Sequence, residues 1–193
     1  MCIRDRPKYY GYAGRILRIN LTKNQTKIKP TEKRLITKFL GGRGFNSKRI
    51  YDEVSKHVDP LSPQNKLMFA TGPLVGTAFP LGARFNVSAK SPLTGILGDS
   101  NAGGHLSAEM KFAGYDQIII EGKSKKPAYI LIEDQEIQMM DAKHLVGKDV
   151  YETTETIRKD LGETTVQVAA VGPAAENRVL YAGVFANLAR PAA

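Results

Sequence analysis

The stretch from Gly82 to Asp116 constrains this chain more than any other. It reads as a strand that carries Arg84, a turn at Ser91-Pro92-Leu93-Thr94, a second short strand, and a glycine turn, Asn101-Ala102-Gly103-Gly104. Beyond the turn, Leu106, Met110 and Ala113 fall at i, i+4 and i+7. That spacing predicts one amphipathic helix from about Gly104 to Ala113, with Gly114 as its stop. A helix opened by such a turn leaves backbone N–H groups unpaired, and with the helix dipole they favour an anion such as a phosphate. Arg84, projecting from the preceding strand, adds a forked cation. On spacing alone, a turn that merely caps the helix is the commoner explanation, because phosphate-type glycine turns are a weak signal.

The rest of the chain alternates hairpins, helices and strands. Arg15 to Leu21 alternates as a half-buried strand, Thr22 to Gln25 turns, and Thr26 to Lys29 returns as its partner. Thr31 is the expected N-cap of a helix that buries Leu35, Ile36, Phe39 and Leu40 and ends at Gly41-Gly42. A second helix, about Phe45 to Val54, buries Phe45, Ile50 and Val54. Lys66 to Thr71 is a buried strand stopped by Gly72-Pro73. Gln117 to Glu121 is another strand, and Ala128–Ile132 with Glu136–Met140 a second hairpin. Val150, Thr154, Ile157 and Leu161 share one helix face, with Gly162 as C-cap. Strands are expected at Thr165–Val171, stopped by Gly172-Pro173, and at Val179–Phe185.

This order repeats. Hairpin, helix, buried strand, Gly-Pro stop and strand occur over residues 15–90 and again over 128–188. A period near 100 residues is too long for a solenoid. The fold class it predicts is α+β: a duplicated unit giving two mixed β-sheets related by a pseudo-two-fold, with helices packed on them.

Composition narrows the function classes. The 193 residues suffice for one domain with a sizeable core or two small ones. No apolar run approaches the roughly 18–20 residues needed to span a bilayer. The first residues, Met-Cys-Ile-Arg-Asp-Arg, lack an apolar h-region and are no secretory signal. Residues 1–9 are read as a non-native or disordered leader, and the expected setting is the cytoplasm. The single cysteine, Cys2, cannot by itself build a disulfide, a zinc site or an iron–sulfur cluster. Residues 1–50 carry 14 Lys and Arg against 2 Asp and Glu, a balance of +12 within a chain of net charge +9. A solvated basic face explains this better than a nucleic-acid site, since no aromatic stacking pattern or nucleic-acid motif accompanies it.

Other constellations reduce to ordinary structure. His57, His105 and His144 show no metal-ligand spacing. Asp116 and Glu121 flank an apolar strand, where end-of-strand solvation is the expected role. Gly-x-Ser-x-Gly is absent. Gly41-Gly42-Arg43-Gly44 does not follow a buried strand and reads as an inter-helix turn that brings Arg43 to the surface.

Five blocks in fixed order carry a resemblance: Gly72-Pro73, Gly82 to Asn86, Lys90 to Gly95, Asn101 to Gly104, and Lys111 to Asp116. Together, over about Tyr10 to Ala193, they resemble the N-terminal domain of the aldehyde ferredoxin oxidoreductase family, the tungsten or molybdenum bis-pterin enzymes. The resemblance implies a pterin-cofactor-binding domain over residues 10–193, truncated at its C-terminus, whose architecture is two multi-stranded sheets forming a base for the pterins. It also implies site residues. Arg84 matches an arginine between a pterin and the iron–sulfur cluster. Asn101, Ala102, Gly103 and Gly104 match a loop that holds pterin phosphate. Arg190, Pro191 and Ala193 match the start of a second pterin-binding segment, with Pro191 where Ala is common. The backbone carbonyls of Asn101 and Pro191 match ligands of a magnesium that bridges the phosphates. No residue of this chain is expected to be catalytic. The implied parent oxidises an aldehyde to a carboxylate, passes electrons to ferredoxin, and binds a four-iron four-sulfur cluster in further domains. It is expected to be a homodimer without membrane or nucleic-acid contact. The alternative is a stand-alone basic module for phosphate-bearing ligands or nucleic acid.

Overall fold

Ile16, Leu17 and Ile19 make strand β1 (Arg15–Asn20) apolar on both faces, so it belongs inside a sheet. The computed structural model describes residues 9–186, 188 and 190–192, so most of the expected leader lies outside the described residues. β1 pairs antiparallel with β2 (Gln25–Pro30) and parallel with β6 (Gln117–Glu121). With β3 (Lys66–Thr71), β4 (Arg84–Lys90) and β5 (Leu97–Gly103), they form a mixed six-stranded sheet of order β2-β1-β6-β3-β4-β5. β2 is exposed along its whole length, and Lys27 and Lys29 lie on that edge, where charge discourages pairing with another chain.

Alternation along the strands separates two cores. On one face Ile16, Met68, Ala70 and Ile119 meet Leu35 and Ile36 of α1 (Lys33–Phe39) and Phe45 and Ile50 of α2 (Arg43–Glu53). On the other, Leu17 and Ile19 meet Met110 of α3 (His105–Phe112), Tyr115, and a hairpin of β7 (Ala128–Glu133) and β8 (Glu136–Asp141). Among the described residues of the N-terminal quarter, Arg18, Arg43, Lys48 and Arg49 form ion pairs. Glu53 takes Arg18, Lys66 at 2.6 Å and Arg49 at 3.5 Å. Burial raises the Glu53 pKa, but hydrogen bonds and charge from Arg18 and Lys66 outweigh it and hold the group at about 2.

The second half continues with a 3-10 turn (Lys143–Leu145), α4 (Val150–Leu161), β9 (Ala169–Ala170), α5 (Pro173–Glu176), β10 (Val184–Ala186) and β11 (Arg190–Ala192). Asp149 and Glu152 close a capping box at the start of α4, and Gly162 ends it in the left-handed region. β11, β10 and β9 form an antiparallel sheet in that order, and β11 lies alongside β5.

The α+β class holds, with several differences from the sequence reading. The second half is split into the β7–β8 hairpin and the three-stranded sheet. The expected strand 165–171 pairs only over Ala169–Ala170, and the expected strand 179–185 only over Val184–Ala186. Gly172-Pro173 does more than stop a strand: Gly172 caps α5 and Pro173 occupies its first turn. Thr31 is not an N-cap, because its hydroxyl donates to Asp116 Oδ2 at 2.8 Å and leaves Glu32 to cap α1 without a side-chain bond. Leu40 is 65% exposed, because the chain leaves α1 there with φ at +59°. No described helix is long and apolar enough to cross a membrane.

Candidate functional site

The β4–β5 ladder sets Arg84 directly opposite Gly103. β5 in turn abuts β11, which begins with Arg190. A Cβ placed on Gly103 would lie 3.5 Å from the Ala83 carbonyl oxygen and 3.7 Å from Arg190 Nη1. The structure therefore brings Arg84, Gly103 and Arg190 to one place from two different sheets. Both arginines are exposed there.

Gly104 follows at φ +109° and, lacking a side chain, precedes α3 with no side-chain cap bond of its own. That φ strains any residue with a Cβ, which explains glycine at this position. The Ser107 hydroxyl donates to the Gly104 carbonyl at 2.9 Å and steadies the turn.

Asn101, Ala102 and Gly103 are not part of a helix-opening turn, as the sequence suggested. They end strand β5, because the ladder with Arg84, Phe85 and Asn86 occupies this segment. Asn101 is exposed, and its Oδ1 accepts from Asn86 Nδ2 at 3.4 Å. Ala102 is 4% exposed and packs with Phe85, Ala186 and Ala192, so its side chain serves the core. Pro191 lies exposed opposite Phe185. Ala193 lies outside the described residues.

A buried polar chain beneath β5 escaped the sequence reading. Gln117 Nε2 donates to Asn46 Oδ1 at 2.8 Å, and Asn46 Nδ2 to Asn86 Oδ1 at 2.8 Å. Asn86 Nδ2 donates to Asp99 Oδ1 at 2.5 Å and to the Ser100 carbonyl at 2.9 Å. Arg43, at the surface as its sequence context predicts, closes the chain on Asp99 at 2.5 Å. This network ties α2 to β5 just before Asn101. Its signal was the alternation Phe85-Asn86-Val87-Ser88, which puts two polar residues on a buried face.

The remaining candidates take structural roles. Among the described residues no group of three or more His, Cys, Asp and Glu could hold a metal ion. His144 pairs with Asp160 at 3.0 Å near the surface. Gly41 and Gly44 are packing glycines: a Cβ on either would meet the Thr71 or Phe39 carbonyl at 2.8 and 2.1 Å. Asp116 is not a solvated strand end. It is fully buried and accepts from the Ala13 and Gly14 N–H groups, the Thr31 hydroxyl and Lys111 Nζ at 2.5–2.9 Å. Burial holds the Lys111 ammonium below the usual lysine pKa, while Asp116 pulls it the other way. Glu121 stays partly exposed beside Lys66 at 3.3 Å.

The chain as a whole is similar to several known proteins. The family described as aldehyde ferredoxin oxidoreductase, N-terminal domain, matches residues 16–193. The tungsten-containing aldehyde ferredoxin oxidoreductase of Pyrococcus furiosus is 48% identical over 176 residues, 91% of this chain and 29% of that protein. The WOR-like subunit of an aliphatic sulfonate oxidoreductase from the same organism is 31% identical, over 93% of this chain and 31% of its own length. Among solved structures, the active-site complex BamBC of benzoyl coenzyme A reductase superposes with a TM-score of 0.92 at 42% identity, covering 95% of this chain and 28% of that one. The chain thus spans less than a third of the length of these relatives. It belongs to the aldehyde ferredoxin oxidoreductase family and corresponds to the N-terminal domain of that family.

Proposed function

We propose that this domain grips the phosphate and pterin ends of a tungsten or molybdenum bis-pterin cofactor within a longer oxidoreductase. The observation that carries this reading is the meeting of Arg84, Gly103 and Arg190 where β5 abuts β11. Two exposed guanidinium groups and a backbone without a side chain at Gly103 make a donor set suited to clustered phosphates. Arg84 and Arg190 supply forked cations, and Gly103 and Gly104 let the phosphates reach the backbone. The Asn101 and Pro191 carbonyls are oxygen ligands of the kind magnesium accepts between phosphates. Ala102 fixes the strand from the core side, and Ala193 continues the second segment. The cofactor, when bound, supplies the redox chemistry; this chain binds and orients it.

The parent reaction is oxidation of an aldehyde to a carboxylate, with ferredoxin as electron acceptor, in the cytoplasm. A four-iron four-sulfur cluster needs several thiolates, and Cys2 is the single cysteine here, so its ligands lie in the rest of the parent. Relatives named for aldehydes, sulfonates and benzoyl coenzyme A share this domain, so its own task concerns the cofactor and not the substrate.

The test is metal content of the full-length parent. Arg84→Ala is expected to lower tungsten or molybdenum per protein several-fold. Arg84→Lys should restore only part of it, because a point charge does not reproduce the fork. Undiminished metal in Arg84→Ala sinks the reading.

A further inference from the structure

The polar chain beneath β5 also fixes which way that strand turns its backbone. Asn46 Nδ2 donates to the Met68 carbonyl at 3.1 Å and to the Asn86 carbonyl at 3.2 Å. Met68 belongs to β3 and Asn86 to β4, so one amide reaches both carbonyls only if they lie between those strands. In an antiparallel ladder the N–H and carbonyl of one residue share an edge, and successive residues alternate. Asn86 therefore turns its backbone toward β3. Its partner on the other side, Asn101, turns its own backbone away from β4, toward the outer edge of the sheet, where β5 is the last strand. The Ser100 carbonyl must then face β4, and there it accepts from Asn86 Nδ2 at 2.9 Å.

One buried amide thus grips the end of β5. Besides Ser100, Asn86 Nδ2 meets Asp99 Oδ1 at 2.5 Å and Asn101 Oδ1 at 3.4 Å. Asn86 is 1% exposed, and its orientation is set from behind: Asn46 Nδ2 at 2.8 Å and the Ser88 hydroxyl at 2.7 Å both donate to its Oδ1. Asp99 is the outer stop of this chain. Its Oδ1 takes Asn86, and its Oδ2 takes Arg43 Nε at 2.5 Å. The Asp99 carboxylate is largely buried, whereas the Arg43 side chain is 67% exposed. Arg43 is the first residue of α2, so the pair also docks that helix on β5.

We propose that Asp99 and Arg43 are positioning residues for the phosphate-binding end of β5. Arg43 holds Asp99, Asp99 holds the Asn86 amide, and Asn86 sets the edge that Asn101 presents next to Gly103. Neither Asp99 nor Arg43 touches the cofactor. The inference rests on the cofactor-gripping role proposed above. Arg43 meets Asp99 through Nε, a position that a lysine ammonium can also reach, so the demand here is for a cation and not for a fork.

Metal content of the full-length parent, measured beside its unfolding midpoint in urea, tests it. Asp99→Asn keeps the shape and an acceptor for Asn86 but releases Arg43. It is expected to lower tungsten or molybdenum per protein about two- to fivefold, less than Arg84→Ala, with the midpoint unchanged. Arg43→Ala should do the same, and Arg43→Lys should restore the metal. The double variant should be no lower than the worse single one, because both act through one contact. Arg43 is exposed, so Arg43→Ala decides if Asp99→Asn does not fold. Metal retained in Asp99→Asn and Arg43→Ala but lost in Arg84→Ala overturns this inference and leaves the cofactor role standing. Losses that multiply in the double variant overturn it too, because Arg43 then meets the cofactor itself. So does a midpoint that falls together with the metal, since the pair then only supports the fold. Metal retained in Arg84→Ala removes the cofactor role, and this inference with it.

Discussion

Residues 15–121 and 128–192 follow one plan but are held together differently. The first half relies on contacts between distant residues. Asp116 fastens Ala13, Gly14 and Thr31, Glu53 collects three cations, and β6 is paired on both sides. Its helices α1, α2 and α3 have no side-chain caps. The second half relies on local devices. α4 carries a full capping box and a left-handed glycine stop, β7 and β8 form a local hairpin, and β9, β10 and β11 pair over only two or three residues. A fold can thus be fixed by long-range closure or by local signals, and this chain uses one in each half.

Three substitutions can break or sharpen that contrast. Asp116→Ala should have the largest effect. It leaves Lys111 buried without its partner and frees the segment at residues 13–14, a loss of about 3–5 kcal/mol. Urea unfolding should show the drop, and a change within error of zero would remove Asp116 as the anchor of the first half. Next, Ile119→Ala in β6 should cost about 2–5 kcal/mol, whereas Ile157→Ala in α4 should fall at the low end of that range. Ile157 borders a cleft, where neighbours can relax; Ile119 is enclosed on every side. Equal costs would show the second half to be as tightly packed as the first. The smallest effect is Asp149→Ala, about 1 kcal/mol. It should speed hydrogen exchange in α4 and leave β1, β3 and β6 untouched. Spread of the effect into the first sheet would mean that the halves unfold as one unit.

The same contrast explains what the sequence disclosed. α4 was legible to its ends, because a periodic stripe and Gly162 lie within a few residues of each other. The hairpins and β3, β4 and β6 were legible from alternation and turn residues. Asp116 was not, because three of its donors lie 85 to 103 residues away in sequence. The start of α1 was misread for the same reason: Thr31 serves Asp116 and not the helix. β9 was overextended because its residues have strand character, but only one partner strand is described beside it. At the candidate site, Arg84 and Arg190 were legible as cations. The strand conformation of Asn101 to Gly103 was hidden, because glycine and asparagine usually mark turns and only the ladder with β4 holds them extended.

The parallel pairing of β1 with β6 also sets a clock on biosynthesis. Ala13 and Asp116 are 103 residues apart. At the usual pace of translation, about 5–20 residues per second, β1 waits roughly 5–20 s for its partner to be made. Throughout that interval it has only β2, and an isolated hairpin is marginal in water. Leu17 and Ile19, later sealed beneath Met110 and Tyr115, stay open to solvent and to chaperones. Slow codons between β1 and β6 would lengthen this exposure.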